Sequence, residues 1–274
     1  MVNIEIILKK AVAILILFFP LIVTAQRSEL LPELMSTSPH GDLNKATIEL
    51  QNFESTLKVQ SSDYALLKTV FKKTQQKFLK HYNQYTDFDE IFTSGKYDCL
   101  TATSLFSVVL SDLHFQYRII ETNYHIFLMV ETTKGEVLLE TTDRYNGFVT
   151  SAVEIEKRLG SYKQNIIASA SIDSSNKIYY AYHFSLYQDV APNQLAGLLL
   201  YNKAVKSFNE KELMKAADFL AQSKAIYESP RVAELAVIIV EATLESNLSQ
   251  SNKLKILNRY KYYWEQRSRL MAVR

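Results

Sequence analysis

The sequence predicts an α+β fold: helices first, then an antiparallel sheet, then a second helical region. Three observations carry that prediction. Apolar residues recur at helical spacing between positions 45 and 112, change to a period of two between 115 and 142, and return to helical spacing after Pro192. The chain of 274 residues holds only six glycines and five prolines, which indicates long regular elements and few irregular loops. Hydrophobic residues make up 47% and charged residues 22%, so a core of ordinary size is within reach.

In chain order, residues 1–25 read as a signal peptide. Lys9 and Lys10 precede an apolar run from Ala11 to Val23, and Val23 and Ala25 stand at the −3 and −1 positions of a small-residue cleavage site. The run is short for a membrane span, which needs about 20 apolar residues. Cleavage after Ala25 gives an exported protein, periplasmic or extracellular; the alternative is an uncleaved anchor. No cysteine follows the run to carry a lipid. No later segment reaches transmembrane length, so no permanent span is expected after cleavage.

Residues 26–60 form an N-terminal arm, polar at first, with Pro39-His40-Gly41 as a loop and a helix over 45–58. Residues 61–190 form the next unit. Leu66, Leu67, Val70, Phe71, Phe78 and Leu79 share one stripe and predict a helix over 63–85. A second helix is predicted over 99–112, its Leu100, Leu105, Phe106, Val109 and Leu110 interleaved with small Thr, Ala and Ser that permit close packing. Strands follow at 115–122 and 124–131, then a turn at 132–135 ending in Gly, then a returning strand at 136–142. Further strands are predicted at 166–172 and 177–187 around a DSSN turn, the aromatic run 178–187 serving as sheet core with a half-exposed face.

Residues 191–274 are predicted helical. The segment 201–235 places small Ala204, Ala216 and Ser223 among Tyr201, Phe208 and Leu220 and closes near Pro230, a pattern that resembles a tetratricopeptide repeat. Two further helices complete the module, which suits docking of a protein partner or capping of the preceding unit.

Charge excludes one class of partner. The net charge is +2 with lysines and glutamates interspersed, so no nucleic-acid footprint is expected. No pair among the five histidines has metal-ligand spacing, and one cysteine cannot build a zinc site, so no metal or cofactor is expected. Gly-rich phosphate loops, a serine elbow and an Asp-rich calcium loop are also missing from the sequence.

The single cysteine, Cys99, opens the 99–112 helix. Unsatisfied backbone N–H groups and the dipole at such a position favour an anion and lower a thiol's pKa, and the same groups can receive an oxyanion. Asp98 is placed to cap this helix. His125 follows 26 residues on, in the first strand of the hairpin, and Glu140 lies 15 residues further, in the second. Cross-strand neighbours are about 5 Å apart, so the carboxylate of Glu140 can orient the imidazole; Asp143 is the reserve if a bulge shifts the register. Thiol, base and orienting acid make an activated nucleophile.

The stretches YDCLTATSLFSVVLSDLHFQYRII and YHIFLMVETTKGEVLLETTD together resemble the bacterial transglutaminase-like superfamily over about residues 85–150. The resemblance implies a papain-like helix-plus-antiparallel-sheet domain, with Cys99 as nucleophile, His125 as general base and Glu140 as third member. It implies a thioester formed on an amide or ester carbonyl of a peptide or protein substrate, then transfer to water or to an amine. Two positions depart from the family pattern: Glu140 stands where Asp is frequent, and Phe127 where many members carry Trp. A member that keeps the fold without activity, acting as a scaffold through its helical module, is the alternative.

Overall fold

The computed structural model describes residues 29–57, 61–164 and 186–272. The leader over 1–25, the predicted strand 166–172, the DSSN turn and most of 177–187 lie outside the described residues.

The arm contains two helices, α1 (Leu30–Ser36) and α2 (Leu43–Ser55). Only α2 was expected. Helix α1 exists because Leu30, Leu31, Leu34 and Met35 fall on one face and all four are buried. Helix α3 (Asp63–Lys77) starts at Ser62, whose hydroxyl accepts the Ala65 N–H. It stops eight residues before the predicted end at 85. Phe78 and Leu79 leave the helical stripe to enter the core, and the chain turns extended as β1 (His81–Tyr82), which pairs in parallel with β2 (Lys96–Tyr97). A short helix α4 (Glu90–Thr93) lies between those strands.

Helix α5 (Cys99–Asp112) matches its predicted limits. It leads into β3 (Tyr117–Thr122), β4 (Ile126–Thr132), β5 (Gly135–Leu139) and β6 (Phe148–Val149), then α6 (Ala152–Gln164). With β7 (Tyr187–Val190) these strands form a five-stranded sheet, order β6-β5-β4-β3-β7, every neighbouring pair antiparallel. The α+β class holds.

Alternation along the strands sorts side chains between two layers. Leu128, Val130, Val137 and Leu139 face the main core with α5, whereas Phe127, Met129 and Leu138 face a smaller cluster closed by Val149 and Ile155 of α6. Ile126 through Val130 are therefore all buried, and β4 reads as a continuous apolar run.

After a 3-10 turn at Pro192–Gln194 come four helices: α7 (Leu195–Asn209), α8 (Leu213–Lys224), α9 (Pro230–Glu245) and α10 (Gln250–Ala272). They share one core with the preceding elements: Leu34, Phe106, Leu128, Tyr201, Leu220 and Tyr260 belong to a single cluster. Gly197 on α7 packs so close to α8's following loop that a Cβ would lie 2.6 Å from Tyr227 Cβ. Among the described residues, no helix is long and apolar enough to cross a membrane.

Candidate functional site

Helix α5 begins at Cys99 because Asp98 stops the extended chain there. The Asp98 carboxylate accepts the Thr101 N–H at 2.8 Å, and the Thr101 hydroxyl accepts the Asp98 N–H at 2.8 Å, closing a capping box. Cys99 thus occupies the first helical position, half-buried.

His125 stands just before β4 and Glu140 just after β5, not within the strands as expected. Both sit at the open end of the hairpin. The register pairs Leu128 with Leu139, so continuing it sets Phe127 against Glu140, and His125 lies diagonal to Glu140 on the same face. Such diagonals span about 7–8 Å, within reach of long side chains only. The extra methylene of Glu over Asp makes this contact: His125 Nε2 and Glu140 Oε2 are 2.5 Å apart. Asp143, the reserve candidate, accepts the Tyr145 and Asn146 N–H groups and so closes the following loop. That loop is tight: a Cβ on Gly147 would fall 2.2 Å from the Glu140 carbonyl oxygen.

Four side chains not foreseen from the sequence hold this pair. Tyr162 of α6 donates to Glu140 Oε2 at 3.0 Å and lies over His125, ring centroids 5.6 Å apart. Thr142 donates to Glu140 Oε1 at 2.9 Å. Thr103, one turn into α5, bonds the Thr141 hydroxyl at 3.0 Å and the Ile126 carbonyl at 3.4 Å. Gln75 of α3 donates to the Thr141 carbonyl at 2.6 Å. Thr103 therefore links the helix of Cys99 to the residues beside both His125 and Glu140. Helix α6 carried a legible signal, Ser151 followed by Glu154 at capping-box spacing, and Ser151 Oγ does accept the Glu154 N–H.

The electrostatics are mixed. Burial works to raise the Glu140 pKa, but hydrogen bonds and charge from His125, then Thr142 and Tyr162, outweigh it and hold the carboxyl below its usual range. Burial pushes the Tyr162 hydroxyl up, helped by the Glu140 charge. The expectation of a thiol lowered by the helix start is overturned. Burial pushes Cys99 up to about 12, the Asp98 and Glu140 charges add to it, and the Leu100 and Cys99 N–H groups oppose it only in part.

A pH dependence follows from Glu140. Its folded form binds the proton less tightly than the unfolded chain, so its stabilisation is complete above the usual value of 4.5 and is lost as pH falls through the lowered folded value. The Glu140→Gln variant should lose stability at neutral pH and show a shallower acid limb in thermal unfolding below about pH 5. Identical limbs in both proteins would contradict the assignment.

Cys99 and His125 open onto one cavity of about 160 Å³. Tyr82, Gln84 and Tyr85 form one wall; Leu198, Tyr201, Asn202 and Val205 of α7 form another. Lys203 of α7 pairs with Asp87 at 2.7 Å and so ties the two walls together. The helical region thus closes the cavity. Arg231 of α9 reaches it too: its guanidinium pairs with Glu121 of β3, donates to the Asn123 carbonyl at 3.0 Å and lies 4.9 Å over the Tyr201 ring. Tyr227 and Gln188 complete the shell of Glu121 at 2.6 and 2.9 Å. Among the described residues, no three His, Cys, Asp or Glu side chains gather as metal ligands. No known protein family, curated protein or solved structure matches this chain.

Proposed function

We propose that this protein is an exported thiol acyl-transfer enzyme with a transglutaminase-like, papain-like arrangement, hydrolysing or transamidating an amide of a peptide or protein. One observation carries the reading: His125, held by Glu140 through Nε2 at 2.5 Å, shares a cavity with Cys99 at a helix start. With Nε2 engaged, Nδ1 is the nitrogen left to take the thiol proton.

The raised thiol pKa sets the order of events. Cys99 rests as the thiol, so its proton moves to His125 Nδ1 as Sγ attacks the carbonyl. The Cys99 and Leu100 N–H groups beside the sulfur meet the developing oxyanion. The imidazolium, stabilised by Glu140, then protonates the leaving amine, and a thioester remains. Water or an amine, deprotonated by the same imidazole, releases the acyl group. Export rests on the leader at 1–25, and a tetratricopeptide-like module on the helix pairs α7–α8 and α9–α10; that module caps the cavity and leaves its outer face for a protein partner.

Trapping tests the reaction. The full chain treated with para-nitrophenyl acetate and quenched in acid should carry one acetyl group on the Cys99 peptide by mass spectrometry, and the Cys99→Ala variant none. Faster turnover with added glycinamide would assign transamidation. A second reading, a silent scaffold of the same fold, is favoured by the thiol being pushed up to about 12. An unmodified Cys99 would decide for it.

A further inference from the structure

We infer that the cavity beside Cys99 accepts an uncharged, hydrogen-bonding acyl chain and rejects a chain that carries a carboxylate; this rests on the acyl-transfer reading above. The charges that line the cavity decide this selectivity. Besides the reacting pair, three formally charged side chains reach the cavity: Asp98, Glu121 and Arg231. Two of the three are carboxylates, and the single cation among them is paired with Glu121.

Asp98 spends its carboxylate on the start of α5, accepting both the N–H and the hydroxyl of Thr101. Glu121 is 2% exposed at its side chain and accepts from Arg231, Tyr227 and Gln188. Arg231 is 10% exposed, paired with Glu121, bonded to the Asn123 carbonyl and stacked on Tyr201. The rest of the wall is neutral and includes Gln84, Asn202, tyrosines and the apolar Leu198 and Val205.

A carboxylate entering this space would meet no cation that is not already bound to Glu121. Capturing Arg231 would leave Glu121 charged and buried, the costliest outcome for an ion pair. An ammonium would not meet that penalty, since both Asp98 and Glu121 are carboxylates. An amide or hydroxyl avoids it too, because Gln84 and Asn202 bring neutral donors and acceptors to the wall. The space of about 160 Å³ suits a short chain of that kind.

Three esters with one leaving group separate the cases: the para-nitrophenyl esters of glutaramic acid, glutaric acid and γ-(trimethylammonio)butyric acid. The first two differ only by amide against carboxylate. In each, the Cys99 Sγ–acyl bond forms, the ester C–O bond breaks, para-nitrophenolate leaves and the thiol proton passes through His125 to solvent. Rates are read as nitrophenolate release, with the Cys99→Ala background subtracted. The glutaramate ester should acylate Cys99 about 100-fold faster than the glutarate ester, and the trimethylammonio ester should also outrun the glutarate ester.

Equal rates for all three, or a preference for the glutarate ester, would overturn this inference and leave acyl transfer standing. No acylation by any of the three would overturn the acyl-transfer reading and this inference with it. A second variant reads the wall directly. Asn202→Lys places a cation on the partly exposed face of α7, and should raise the glutarate rate about tenfold against glutaramate. An unchanged ratio would remove Asn202 from the acyl-binding wall and overturn the wall on which the inference is built.

Discussion

Replacing His125 with alanine is expected to slow acylation of Cys99 by para-nitrophenyl acetate by about 10²–10⁴-fold, the range that a positioned base supplies. The thiol's position explains why the loss should fall at the upper end. Burial pushes Cys99 up to about 12, so almost no thiolate stands ready at neutral pH, and attack depends on removing the proton as the bond forms. The surviving activity of His125→Ala should therefore rise with pH as hydroxide takes over. Stability should fall as well, because the buried Glu140 carboxylate loses His125 and keeps only the Tyr162 and Thr142 hydroxyls, so the rate is read on protein shown to be folded. A rate within about threefold of the parent, across pH, would show that His125 does not act as the base.

Breaking the pair between Glu121 and Arg231 carries the largest expected effect on stability. Both side chains are almost fully withdrawn from water, at 2% and 10% exposure. Arg231→Ala removes the cation and leaves the Glu121 carboxylate with only the Tyr227 hydroxyl and the Gln188 amide. Removing one partner of such a pair costs about 3–5 kcal/mol, since the remaining charge is buried without compensation. The double variant Glu121→Leu, Arg231→Met should recover most of that loss, because neither charge is then left behind. Urea unfolding of the three proteins checks both statements. A loss below about 1 kcal/mol in Arg231→Ala would place the pair among solvated surface bridges instead. The pair has a second consequence, as Arg231 also bonds the Asn123 carbonyl, two residues before His125. Arg231→Ala should therefore loosen the turn that carries the base.

Much of the fold was readable from local pattern. The limits of α5 were legible because its cap, Asp98, and its apolar period lie within adjacent residues. The hairpin was legible because Gly135 ends the turn and so sets the register. Where the reading failed, the deciding partners were distant. The helix predicted to 85 ends at Lys77 because residues 81–82 find a strand partner at 96–97. Glu140 lies just outside β5 because its ladder with β4 ends at Leu128–Leu139, and His125 just outside β4 because its ladder with β3 ends at Glu121–Ile126. Helix α6 had a cap signal in Ser151 and Glu154, but nothing local says that Tyr162 meets a carboxylate 22 residues earlier.

The same division applies to the chemistry. Residue type, spacing and the capping sequence alone placed a thiol at a helix start and put an imidazole and an acid on one hairpin, because each depends on neighbours a few positions away. Folding in three dimensions settled which acid touches the imidazole, which helix closes the cavity and which way the thiol titrates. Those outcomes turn on burial and on polar contacts such as Glu121–Arg231, 110 residues apart in the chain. Desolvation is a property of the assembled surroundings of a group, and here it outweighs the helix-start effect that the sequence foretold at Cys99.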